Sequence, residues 1–200
     1  RRCIMANHVI TRIDIAQGNE AAHQAMSNLN KRHLDLVEKW EHQVPAFAMW
    51  EDTQALYDAE NYGELIEEIG TKWCYVFDYD DEQSISFESA WGTPSDLLQR
   101  ICEEITEADP NVILSYTSED ECPNWVSSGV YSDGELYDEE VIDSDEFNDL
   151  GIKIWWDEDV EGAEEPDDFE PTWEELYNLL DDNVTGMVDG VTFDRDQEDT

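Results

Sequence analysis

Hydrophobic and polar positions change period several times along this chain, and each change marks an element. In "ANHVITRIDIAQ" (6–17), Val9, Thr11, Ile13 and Ile15 alternate with His8, Ile10, Arg12 and Asp14, which is the two-residue period of a strand. After Gly18 and Asn19 the period lengthens, and Ala22, Ala25, Met26, Leu29, Leu36, Val37 and Trp40 fall near one face of a helix over Glu20 to Trp40. Residues 41–70 are acidic and less regular, with a helical piece "ENYGELIEEIG" whose Leu65, Ile66 and Ile69 are placed to dock on a core, so they read as an insertion. "KWCYVFDY" (72–79) and "SISFESAW" (84–91) alternate again around the polar turn Asp80 to Gln83 and predict a β-hairpin.

"TPSDLLQRICEEITEADP" (93–110) carries helix punctuation: Thr93 as N-cap, Pro94 at the first helical position, and a stripe of Leu97, Leu98, Ile101 and Ile105 before Pro110. "NVILSYT" then reads as a strand. The order β-α-insertion-β-β-α-β is that of an α+β, ferredoxin-like antiparallel sheet with packed helices, although the insertion leaves open whether the two halves share one sheet. Further short strands are expected at Trp125 to Tyr131, Glu135 to Ile142 and Gly151 to Trp156, with "DSDEFND" separating the last two. "PTWEELYNLLDD" (171–182) predicts a final helix, with Thr172 and Glu175 as a capping box and Trp173, Leu176, Tyr177, Leu179 and Leu180 as its apolar face. The expected organisation is a core over 5–131 with the insertion at 41–70, and an acidic strand-and-helix extension over 132–200 packed on it, "DRDQEDT" being frayed.

Several short motifs converge on one family. The opening "MANHVITRI", "TKW" at Thr71 to Trp73, "SFESAWGTPSDLLQRI" and Gly129 together resemble the YubB-like ferredoxin-like domain family of plasmids and phages, over about residues 5–131. The resemblance implies a fold and a mobile-element setting, and no catalytic residues. The segment after about residue 132 and the strong acidity depart from it.

Charge changes the picture most. The chain has 52 Asp+Glu against 10 Lys+Arg, a formal net charge of -42. The first 40 residues hold six basic and four acidic residues, while the remaining 160 hold 48 acidic and four basic ones, so the acidity has a location. High net charge is a mark of disorder when apolar content is low, but 8 Trp and 8 Tyr add large burial capacity and point to a folded chain. Cys3, Cys74, Cys102 and Cys122 have no metal-ligand spacing and read as buried free thiols of a reducing cytoplasm. No apolar stretch approaches a membrane span and no signal peptide is visible, so a soluble protein of a bacterial cytoplasm is expected. Met5 heads "MANHVITRI", which sets Arg1 to Ile4 apart as upstream residues.

Four chemistries compete for the acidic residues. An enzyme needs convergent groups of several kinds, and His8, His23, His33 and His42 show no catalytic or metal-binding spacing. A calcium loop is better motivated: Asp157, Asp159, Glu161, Gly162 and Asp168 occupy positions 1, 3, 5, 6 and 12 of the EF-hand spacing. Against it stand Asp rather than Glu at position 12, Glu164 at an apolar position, and Pro166. Salt adaptation would spread acids evenly, which the near-neutral first helix does not show. Mimicry of nucleic acid remains: 42 charges equal the phosphates of about 70 Å of duplex, or about 20 base pairs.

The reading this supports is a non-enzymatic DNA mimic without cofactor that binds neither nucleic acid nor membrane, as a monomer or a homodimer. It would fill the basic groove of a host DNA-binding defence protein, such as a restriction or CRISPR complex. The partner-binding acids it selects are Glu135, Asp138, Glu139, Glu140, Asp143, Asp145 and Glu146, with Asp157, Glu158, Asp159, Glu161, Glu164, Glu165, Asp167, Asp168 and Glu170. Trp155, Trp156, Phe169 and Trp173 bracket the second group as anchors. A salt-adapted domain and a calcium module using Asp157, Asp159, Glu161 and Asp168 are the alternatives.

Overall fold

The computed structural model describes residues 8–39, 44–80, 82–120, 124–152 and 173–198. Its elements run β1 (His8–Gln17), α1 (Glu20–Lys39), a 3-10 turn (Ala46–Met49), α2 (Glu51–Asp58), α3 (Tyr62–Ile69), β2 (Cys74–Asp80), β3 (Ser84–Ala90), α4 (Ser95–Ala108), β4 (Ile113–Asp120), β5 (Trp125–Ser132), β6 (Glu135–Asp143), α5 (Ser144–Asp149) and α6 (Trp173–Glu198). The six strands form one sheet in the order β2-β3-β1-β4-β5-β6, and every neighbouring pair is antiparallel. The protein is therefore α+β, and the two halves flanking the insertion share a sheet.

The predicted alternation of β1 sets the geometry. Val9, Thr11, Ile13 and Ile15 are buried on one face, where Ile13 meets Ile85 of β3 and Tyr116 of β4. On that face lie α1 and α4, through Ala22, Met26 and Leu29 of the first and Leu97, Leu98, Ile101 and Ile105 of the second. Helix α1 starts where the Asn19 side-chain oxygen accepts the Ala21 amide at 2.7 Å. Gly18 precedes it because a Cβ there would lie 2.9 Å from that of Ala22. Buried Asp109 ties this corner to the end of α4 by accepting the amides of Asn19 and Asn111 at 2.8 and 3.1 Å.

On the other face, α6 covers β4, β5 and β6. There Leu176, Leu180, Met187 and Val191 repeat along α6 at helical spacing and pack on Val126, Ile142, Ile113 and Val130. Arg195 fastens the far end of α6, donating to the Asn111 carbonyl at 2.7 Å, to Ser132 at 2.9 Å and to Asp133 at 3.2 Å. Strands β4 and β5 are thus buried on both sides.

The β-hairpin forms as expected, and in it Cys74 and Val76 are the β2 residues that enter the core, with Trp73 and Tyr75 half-buried and a bulge at an exposed Phe77. The alternation was legible, but it does not say which side is buried. Several expectations are corrected. Residues 44–70 are a helical layer rather than an irregular insertion, with Val44, Phe47, Ala48, Leu65 and Ile69 buried together against Leu36 of α1. Thr93 does not cap α4, which begins after Pro94 without a side-chain cap. The spacer "DSDEFND" contains α5, and α6 runs through the segment expected to fray, because Val191 and Arg195 hold it on the sheet. Gly151 and Ile152 are not in a strand, and residues 153–156 lie outside the described residues.

Gly129 in β5 lets the Tyr116 ring lie across the strand, since a Cβ there would be 2.5 Å from Tyr116 Cε1 and 3.0 Å from the Asp138 carbonyl oxygen. Gly129→Ala is expected to lower stability by about 1–3 kcal/mol through overpacking, seen as a lower urea midpoint at unchanged slope.

Candidate acidic interface

Strand β6 ends the sheet, and its residues Glu135 to Val141 are all exposed. The pairing register sorts its acids by face. Asp138 and Glu140, opposite Val130 and Ser128, stand on the α6 side, while Glu139, opposite Gly129, stands on the α1/α4 side. There Glu139 accepts the Tyr116 hydroxyl, and burial together with this carboxylate pushes the Tyr116 phenol well above its ordinary pKa. Glu135 pairs with Ser132 at the hairpin turn.

The acids at the end of β6 have a local task. The Asp143 carboxylate accepts the amides of Asp145 and Glu146 at 2.9 and 3.1 Å, and Glu146 reaches back to the Asp143 amide at 3.0 Å. That reciprocal arrangement caps the N-terminus of α5, where negative charge meets unpaired N–H groups. Asp143 and Glu146 thus set the turn into α5, and Asp145 rides on it, exposed. The candidate acids from Asp157 to Glu170, the EF-hand spacing within them, and Trp155, Trp156 and Phe169 lie outside the described residues. Trp173 is half-buried beside Leu176 and stacks on Tyr177, ring centroids 6.4 Å apart.

The structure adds acids that the sequence reading missed. Around its apolar stripe α6 exposes Glu174, Glu175, Asp181, Asp182, Asp189, Asp194 and Asp196. The signal for the first four of them was the same 3.6-residue period that found the helix over 171–182; the helix continues past Gly186 and Gly190, which disfavour it locally. Between β6 and α6 runs a groove of about 370 Å³ lined by Tyr137, Asp138, Glu140, Asp182, Asn183, Gly186, Met187 and Gly190. The two glycines leave its helix side bare of side chains. Tyr137 closes one end by donating to Asp194 at 2.5 Å, and this bond raises the Tyr137 phenol pKa.

Few cations answer this charge. Residues 101–200 contain only Lys153 and Arg195 as basic residues, and Arg195 is committed to the β4 and β5 ends. The arginines of the other half are also engaged. Arg32 pairs with Glu104, Arg100 pairs with Asp52 at 2.6 Å, and both guanidiniums lie over the Trp50 ring, at 5.8 and 4.8 Å from its centroid. Trp50 in turn donates to Glu104 at 3.0 Å, which ties the 44–70 layer to α1 and α4. Glu104 and Asp52 thus join α1, α2 and α4 through the two arginines.

His8 pairs with Glu88, His23 contacts the Glu82 carbonyl at 2.9 Å, and burial lowers the pKa of His33. Cys74 and Cys102 are free and buried, as expected, and burial pushes both thiols up, Cys102 to about 11. Cys3, Cys122 and His42 lie outside the described residues. Among the described residues no group of three or more His, Cys, Asp or Glu is placed to hold a metal ion, and no helix is long and apolar enough to cross a membrane. No protein-family model matches the chain, and no curated protein or solved structure matches it either.

One acid lies under the charged surface rather than on it. Glu119 of β4 is half-buried against Tyr177 of α6, and burial raises its pKa more than the tyrosine hydrogen bond lowers it. The folded protein therefore binds this proton more tightly than the unfolded chain. Its contribution is fully present below the unfolded carboxyl value and is lost as pH rises through the raised folded value. Glu119→Gln is expected to raise the thermal midpoint at pH 7 and to flatten the decline in stability above pH 5, as followed by circular dichroism.

Proposed function

We propose that this chain is a non-enzymatic DNA mimic whose acidic surface, built on β6, α5 and α6, occupies the nucleic-acid groove of a basic DNA-binding protein. The observation that carries this reading is the placement of carboxylates along one long helix and the strand beside it. Helix α6 has 26 residues, and at 1.5 Å per residue it is about 39 Å long. That length of duplex carries about 23 phosphates on two strands, roughly half of them facing any one side. From Glu135 to Asp149 there are eight acids and no base, and α6 adds seven more through Asp196 against one arginine. Leaving out Glu139 on the α1/α4 side, fourteen acids against one arginine are of the same order as the phosphates on one duplex face.

A mimic has to hold its charges in place before the partner arrives. The α6 stripe on β4 and β5 anchors the carboxylates by burial, so binding does not first have to order them, and counterions are released from both surfaces on contact. The β2-β3-β1-β4 order with α1 and α4 on one face supports a ferredoxin-like core, with β5, β6 and α6 as the acidic extension. The plasmid or phage setting implied by the sequence resemblance makes a host restriction or CRISPR complex the partner of first choice, an inference by analogy.

The test is competition. A labelled duplex of about 20 base pairs, bound to purified restriction and CRISPR DNA-binding complexes, is expected to be displaced, with displacement weakening at least about tenfold as salt rises from about 0.05 to 0.2 M. Replacing Asp138, Glu140, Asp182 and Asp189 by their amides is expected to weaken displacement by tenfold or more at unchanged far-ultraviolet dichroism. Equal displacement by this variant, or none by the native chain, refutes the reading.

A second reading has its own observation. Glu51, Asp58, Glu60, Glu64, Glu67 and Glu68 are exposed on α2, α3 and their joining turn, in the layer on the other side of the sheet from α6. Acids on both sides are what salt adaptation would produce. It predicts unfolding on transfer from about 2 M to 0.05 M potassium chloride, where long-range repulsion is least screened; the mimic reading predicts a folded protein at both.

A further inference from the structure

We propose that the groove between β6 and α6 receives an arginine side chain of the basic partner; this rests on the mimic reading and names where that partner is gripped. Two elements build the walls. Asp182, Gly186 and Gly190 follow one another at four-residue spacing and so share one side of α6, which faces Tyr137, Asp138 and Glu140 of β6 across a volume of about 370 Å³. That volume lies in the range of small-ligand sites. The glycines make the room: a Cβ on Gly186 would meet nothing within 4 Å, and one on Gly190 would meet only the Tyr137 hydroxyl, at 3.9 Å. Glycine is disfavoured inside a helix, and here neither close packing nor a positive φ calls for it. What the two residues supply is the open wall.

An independent observation lies one layer deeper. Ser128 of β5, directly opposite Glu140 and on the same side of the sheet, is fully buried, and its hydroxyl has no hydrogen-bond partner among the described residues. The Nδ2 of Asn183, a residue of the groove wall, is buried without one as well. Buried polar groups are paired as a rule, and an unpaired one is costly. Directly opposed side chains have Cβ atoms about 5 Å apart, so Ser128 and Glu140 mark the inner side of the groove, where a polar group arriving from outside finds the Ser128 oxygen ready to accept an N–H.

Charge and shape select the occupant. Asp138 and Glu140 stand about 7 Å apart along one side of β6, and Asp182 faces them from the helix. Among the described residues no group of three is placed to hold a metal ion, so these carboxylates suit an extended organic cation rather than a bare one. Tyr137 and Met187 then favour guanidinium over ammonium. The Tyr137 hydroxyl is fixed by its bond to Asp194 at 2.5 Å, which orients the ring along the groove, and Met187 adds an apolar wall. A planar guanidinium stacks on an aromatic ring while its fork of N–H groups reaches carboxylates, whereas an ammonium is a compact, strongly hydrated point charge.

Titration of the full chain with a blocked peptide carrying one arginine, acetyl-Gly-Arg-Gly-amide, followed by heteronuclear NMR at the amides of Gly186 and Gly190, tests the proposal. Saturable shifts are expected, at least about threefold weaker with lysine in place of arginine and absent with citrulline, which keeps the shape and loses the charge. Gly186→Leu fills the groove at constant net charge and favours the helix; it is expected to abolish the shifts at Gly190 with unchanged dichroism. Asp182→Asn is expected to weaken binding about threefold or more, whereas Glu68→Gln, an equal loss of charge at an exposed position of α3, leaves it within about twofold. No saturable shift in the groove, equal binding of the citrulline peptide, or arginine binding that Gly186→Leu and Asp182→Asn leave intact overturns the proposal. Duplex displacement by the native chain without groove shifts refutes this site alone, and groove shifts without displacement refute the mimic reading alone.

Discussion

Everything in this protein is arranged around mutual repulsion among its carboxylates. With 42 negative charges in excess, the compact state is opposed by its own field, and only burial can hold it. The sheet answers by burying both faces of β4 and β5, under α1 and α4 on one side and α6 on the other. On α6 the apolar backing lies directly beneath the charge: Leu176, Leu180, Met187 and Val191 hold the helix whose other sides carry acids.

The scarce cations reinforce this division. Arg32 and Arg100 sandwich the Trp50 region and join the 44–70 layer to α1 and α4, and Arg195 pins the end of α6 to Asn111, Ser132 and Asp133. Each sits where two elements meet. None is placed along the groove between β6 and α6, so the surface there keeps its sign. Some acids serve the fold as well: Asp109 joins two loops, Asp143 and Glu146 cap α5, and Glu139 receives the Tyr116 hydroxyl over Gly129. A carboxylate in such a role is immobilised but still charged, which is how a structural acid also contributes to a rigid negative surface.

The elements were legible where one side chain period was backed by a large environmental difference. In β1, in the helix of Leu97, Leu98, Ile101 and Ile105, and in the hairpin 72–91, apolar positions meet a core and the alternation shows it. The acids of β6 were found as a run, but not their faces, because eight of its nine residues are exposed and their polarity does not alternate. In β2 the core-facing residues are Cys74 and Val76, and the alternation by itself does not say which of its two faces is buried. The acids of α6 escaped because the helix continues past Gly186 and Gly190, residues that disfavour helix locally and are carried by packing before and after them.

Local sequence therefore determines the strands and helices with a single buried stripe, the caps at Asn19, and the uneven distribution of charge between the two halves. These depend on neighbours three or four positions away and on composition. The joining of both halves into one sheet, the choice of buried face in β2, the full length of α6 and the meeting of Asp138 and Glu140 with Asp182 were decided in three dimensions. They depend on contacts between residues far apart in the chain, such as Val130 with Met187 and Ile13 with Tyr116, which no local period encodes.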